Sequence, residues 1–90
     1  MTVYVDDYRV QARVGSINAR WSHLFAVPPE DPNLHVIAQK IGLKREWFQN
    51  NSHYDVTESK RMAAVTVGAV SVGTMDGVRL RLEYKKNDKT

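Results

Sequence analysis

Two adjacent carboxylates, three histidines and one dense polar cluster are the side chains here best suited to chemistry. Asp6 and Asp7 directly follow the run Thr2-Val3-Tyr4-Val5. Carboxylates at a strand end can hold a divalent cation or act as a general base toward a phosphate substrate. Adjacent strand residues point to opposite faces, so both reach one ion only if the strand has already ended; otherwise the pair starts a turn. His23, His35 and His53 show no H-x-x-x-H spacing, so a metal site built from them must be assembled by the fold. Imidazole titrates at about 6.5, which suits His23 and His53 to proton transfer. His35 lies beside Leu34 on a helix flank and reads as a partly buried, hydrogen-bonded histidine.

The densest polar cluster is His53-Tyr54-Asp55 with Thr57, Ser59, Lys60 and Arg61. A helix starting there presents free N–H groups and its positive dipole end, and the hydroxyls and cations around it could hold a phosphate. The same residues also fit an ordinary helix start, with Asp55 as cap, Thr57 and Ser59 in the first turn, and Lys60 and Arg61 solvated. Trp21, Trp47 and Phe48 can stack a base, with Arg20, Lys44 and Arg45 nearby in sequence, or can pack as core. The candidate catalytic residues are therefore Asp6, Asp7, His23, His53 and Asp55. The candidate ligand-binding residues are Arg20, Trp21, Thr57, Ser59, Lys60 and Arg61, with a divalent cation as the candidate cofactor. Gly68, Gly73 and Gly77 match neither common phosphate-loop spacing.

The elements that must position these groups follow from the pattern. Thr2–Val5 reads as a first strand, Tyr8–Arg20 as a long loop or irregular hairpin broken at Gly15, and Trp21–Val27 as a second strand stopped by Pro28-Pro29. Asp31 can cap a helix with Pro32 at its first position; Leu34, Ile37, Ala38 and Ile41 form its apolar stripe and Gly42 ends it. Trp47-Phe48 suggests a short strand before the polar loop at Gln49–Ser52. Asp55-Val56-Thr57-Glu58 has capping-box spacing, which predicts a second helix running toward Gly68. Ala69–Val72 reads as a strand, Met75-Asp76-Gly77 as a turn, and Val78–Tyr84 as a half-buried strand alternating with Arg79, Arg81 and Glu83. The expectation is an α/β domain over 1–84, with a small, mostly parallel sheet, about two helices and a C-terminal β-hairpin edge; the polar tail 85–90 should fray. Parallel strands deliver their carboxyl ends to one edge, where Asp6, Asp7, the end of Trp21–Val27 and Asp55 would meet and where Asp6, Arg20, His23 and Asp55 would line one cleft.

Composition bounds the function classes. Ninety residues, 42% hydrophobic and 26% charged, suit one small folded domain with a thin core. No cysteine is present, so there is no disulfide framework or thiolate zinc site. The apolar runs are far shorter than a bilayer span, and the opening residues lack a signal-peptide pattern, so a cytoplasmic, non-membrane protein is expected. A net charge of +3 is a mild basic excess; it permits nucleic-acid contact without a recognised binding motif.

The stretches Met1–Asp7, Ala19–Leu24, Leu34-His35, Gly42-Leu43, Trp47–Gln49, His53–Arg61 and Gly68–Val70 resemble a domain-of-unknown-function family of actinobacteria and their phages. The likeness covers most of residues 1–73, and Val78–Tyr84 with the basic tail reads as an extension. Some members resemble this chain fused to HD-type metal-dependent phosphohydrolase domains, which implies a nucleotide or nucleic-acid context. The function expected is binding of a phosphate-containing ligand, with a metal-dependent hydrolase as its catalytic form. The alternative is a non-catalytic interaction module, a homodimer or partner complex formed through the edge of the Val78–Tyr84 strand.

Overall fold

The computed structural model describes residues 2–88, with side chains through 84. It is an α/β arrangement of strands β1 (Thr2–Val5), β2 (Val10–Val14), β3 (Ile17–Val27), β4 (His53–Thr57) and β5 (Val70–Ser71) with helices α1 (Pro32–Lys40), α2 (Glu58–Thr66) and α3 (Thr74–Asp88). β3 is the organising strand. One of its edges pairs first with β2 and then with β1, and its other edge pairs with β4, all antiparallel. Among the described residues, only β5, alongside β1, is parallel to its neighbour. The sheet is therefore mixed and mostly antiparallel, which corrects the mostly parallel expectation. For β2 and β3 the cause is local: the Val14–Ile17 turn, with Gly15 at φ +61°, is too short for anything but an antiparallel return.

Strand alternation divides the sheet into two faces. Val3, Val5, Leu24, Ala26, Tyr54 and Val56 are buried on one face, against Leu34 and Ala38 of α1 and Ala64 of α2. α1 follows its sequence signals closely: Asp31 caps it by accepting from the Asn33 N–H at 3.0 Å, and Gly42 leaves it at φ +87°. Phe25 is fully buried on the opposite face, stacked on Tyr4 with ring centroids 5.6 Å apart and overlaid by the Arg81 guanidinium at 4.7 Å.

Three local expectations fail. Val78–Tyr84 lies within α3, so the proposed C-terminal hairpin is absent and no strand edge there can pair with a second copy. The alternation Val78, Leu80, Leu82, Tyr84 fits a strand, but Gly77 lets a helix backbone approach the Phe25 ring. Asp7 also accepts from both the backbone N–H (2.9 Å) and the hydroxyl (3.0 Å) of Thr74, which caps α3 from 67 residues away. The helix continues to Asp88, into the segment expected to fray, and 89 and 90 lie outside the described residues. Arg45–Trp47 forms a single 3-10 turn instead of a strand. Finally, α2 begins after Thr57, which accepts from the Lys60 N–H at 3.4 Å, so Asp55 is a strand residue and not a helix cap. Among the described residues, no helix is long and apolar enough to cross a membrane.

Candidate metal centre

β1 and β2 form one long strand interrupted at Asp6–Arg9, where Arg9 takes a left-handed conformation at φ +51°. Backbone groups of β3 opposite this break need other partners, and polar side chains supply them. Asp6 donates its N–H to the His23 carbonyl at 3.0 Å, while its Oδ1 accepts the His23 N–H at 3.0 Å. Asp6 Oδ2 lies 2.7 Å from His23 Nδ1. Ser22 accepts the Arg9 N–H at 3.1 Å on the other side. A fully buried carboxylate thus replaces a missing ladder bond and orients an imidazole. Burial pushes Asp6 upward, but hydrogen bonds from the His23 ring and from the backbone N–H groups of His23 and Tyr8 outweigh it, so its pKa lies below the ordinary value.

The β3–β4 register places His23 opposite Asp55 and Phe25 opposite His53, so His23, His53 and Asp55 share the face away from α1 and α2. The two imidazoles meet edge to face with centroids 4.9 Å apart, and His53 Nε2 lies 3.3 Å from Asp55 Oδ1. Gln49 donates to the other Asp55 oxygen at 2.6 Å. The His53 contact is the largest influence on Asp55; together with Gln49 it holds this carboxyl below its ordinary pKa despite partial burial. One nitrogen from each histidine and one Asp55 oxygen lie within 4.8 Å of one another. Donor atoms about 2.1 Å from a shared ion are themselves separated by about 3.0–3.4 Å, and the His53–Asp55 spacing already matches that.

Of the residues singled out by sequence, Asp6, His23, His53 and Asp55 are brought together. Asp7 is turned away to cap α3. Arg20 is exposed beside Gln11, on the sheet face opposite His23. Trp21 stands on the cluster's face, opposite Thr57, but its indole N–H is directed to the Ala12 carbonyl at 2.9 Å. The expected phosphate clamps are engaged elsewhere. Lys60 donates to the Ile41 carbonyl at 2.6 Å, and the buried Arg61 donates to the Asp6 carbonyl at 2.7 Å and the Ser71 hydroxyl at 2.6 Å. Ser59 is exposed, 3.3 Å from the Thr57 hydroxyl. His35 is as read from the sequence, with Nδ1 2.8 Å from the Tyr54 hydroxyl and Phe48 against its ring.

Sequence reasoning missed three contributors. Gln49 reaches Asp55 only because Asn50 and Asn51, both with φ near +50°, reverse the chain between them. Tyr8 stacks on His23 at 5.2 Å from the strand break. Arg81 arrives over Phe25 only because α3 is a helix.

Residues 3–83 match the family described as Protein of unknown function (DUF4031). The chain belongs to that family. The span recognised as DUF4031 includes the whole cluster and nearly all the described side chains of α3, so Val78–Glu83 is part of the family domain and not an extension of it. No curated protein and no solved structure matches the chain.

Proposed function

We propose that this domain holds a divalent transition-metal ion through His23, His53 and Asp55 and uses it to bind and hydrolyse a phosphate ester. The observation that carries this reading is the outer support of the cluster. Asp6 occupies His23 Nδ1 and leaves Nε2 as the ring's remaining nitrogen, while Gln49 occupies one Asp55 oxygen and leaves the other beside His53. Metal-ligating histidines are usually fixed in this way by a carboxylate on the far nitrogen. Two imidazoles and a carboxylate suit zinc, manganese or ferrous iron, and the charges of Asp6 and Asp55 balance a divalent ion. Three protein donors leave coordination positions open for water and a phosphoryl oxygen.

Bound there, an ion supplies positive charge to phosphate oxygens and acidifies a water. Hydrolysis then forms a bond from water oxygen to phosphorus, breaks the ester P–O bond, and passes a proton to the departing alcohol. Arg81, whose guanidinium lies over Phe25 on the same sheet face, is the cation this reading assigns to the phosphate, in place of Lys60 and Arg61. The test is calorimetric titration of the metal-free chain with Zn²⁺ and Mn²⁺, followed by assay of p-nitrophenyl phosphate with and without chelator. One ion per chain is expected, with binding lost in His53→Ala and chelator-sensitive release of p-nitrophenol. Absence of binding by either ion rules the proposal out.

A further inference from the structure

We infer that the groove between α3 and the Asn50–Ser52 loop receives the nucleoside part of a nucleoside phosphate whose phosphate group lies at the His23–His53–Asp55 cluster; this rests on the reading above. The groove is open to solvent along one side and has a volume of about 490 Å³, within the range of small-ligand sites, and its walls include Asn50, Asn51, Ser52, Val78, Arg81 and Leu82.

Its position ties it to the cluster. Ser52 directly precedes His53, and Gln49, on the other side of the same turn, donates to Asp55. Backbone bonds from Gln49 N–H to the His53 carbonyl (2.8 Å) and from Ser52 N–H to the Gln49 carbonyl (2.9 Å) hold the turn closed. One turn thus lines the groove and buttresses a metal-ligand candidate. Arg81 spans the gap from the other side: it lines the groove while its guanidinium covers Phe25, the register partner of His53.

The lining chemistry fits a nucleoside. Val78 and Leu82 offer apolar surface for a flat ring. Among the described residues, the side chains of Asn50, Asn51 and Ser52 have no hydrogen-bond partner in the protein, and they present two amides and a hydroxyl. An amide both donates and accepts, as base edges require, and a hydroxyl suits a sugar. Arg81 at the junction can meet the phosphate or stack on the base.

The test titrates adenosine monophosphate, a short single-stranded oligonucleotide and inorganic phosphate into the Mn²⁺-loaded chain, with Mn²⁺ binding measured separately. Adenosine monophosphate should bind at least about tenfold tighter than inorganic phosphate. Leu82→Trp, at a largely exposed position, should fill the groove and remove that advantage while leaving Mn²⁺ and inorganic phosphate affinity unchanged. Asn51→Gly tolerates the positive φ and should weaken only the nucleotide. Preference for the oligonucleotide over the mononucleotide identifies a strand as the source of the nucleoside phosphate. Equal binding of nucleotide and inorganic phosphate, or equal loss of both in Leu82→Trp, overturns the inference while leaving the metal site intact. If Mn²⁺ does not bind, amide spectra of the metal-free chain decide: shifts confined to Asn50–Ser52 and Val78–Leu82 on adding adenosine monophosphate support the groove, and their absence overturns it.

Discussion

The carboxylate of Asp6 holds His23 at two points, accepting its backbone N–H at 3.0 Å through Oδ1 and meeting ring Nδ1 at 2.7 Å through Oδ2. The carboxylate is fully buried while the imidazole keeps 26% of its surface exposed, so one end of the pair is anchored in the protein and the other reaches solvent. This contact joins fold and chemistry, because it repairs the β1–β2 interruption and selects the imidazole nitrogen left for a ligand.

Asp6→Asn separates these two roles. An amide oxygen can still accept the backbone N–H, but an NH₂ group in place of Oδ2 asks Nδ1 to accept, which puts the ring proton on Nε2. Metal affinity is expected to fall by about 10–100-fold, and stability by about 1–3 kcal/mol. Calorimetry and urea unfolding on the same preparation measure both, and unchanged affinity would show that His23 is not a ligand.

Stability should fall with acid in two stages. Burial and the charge of Arg45 hold His35 below its ordinary pKa. Its contribution is complete above about pH 6.5 and is lost as pH falls below that. Asp6 and Asp55 are also depressed, so their contribution is complete above about pH 4 and disappears as pH falls through their folded values. Urea midpoints should thus be flat above neutrality, decline mildly toward pH 5 and drop steeply below 4. His35→Gln should remove the first decline and Asp55→Asn should lessen the second; identical curves for all three proteins would contradict the assignment.

Gly77→Ala should destabilise the fold, although the same change inside an exposed helix gains about 1 kcal/mol. A Cβ at this position would stand 3.2 Å from Phe25 Cζ and 3.4 Å from Cε1. Phe25 has little room to yield, being fully buried between Tyr4 and Arg81. A melting temperature below wild type, with Gly77→Val lower still, is expected; a rise on Gly77→Ala would mean that α3 does not seat on this ring.

The sequence alone determined elements whose signals are local. Asp31, Pro32 and Gly42 bound α1 because caps act through neighbouring backbone groups, and the β-branched Thr2–Val5 run marks β1. It also picked out Asp6, His23, His53 and Asp55 by residue type. Their convergence was expected at the carboxyl ends of parallel strands, whereas it arises through antiparallel register across β3 and a carboxylate filling a strand break. Register is set by where each strand's apolar face finds the core, a long-range outcome that no short window contains. The same reason explains α3: Val78–Tyr84 alternates like a strand, yet its conformation was decided by Asp7 capping Thr74 and by the room Gly77 leaves over Phe25. Gln49 and Arg81 became candidate site residues in the same way, because only the folded chain brings a reversed turn and a helix to one side of a sheet.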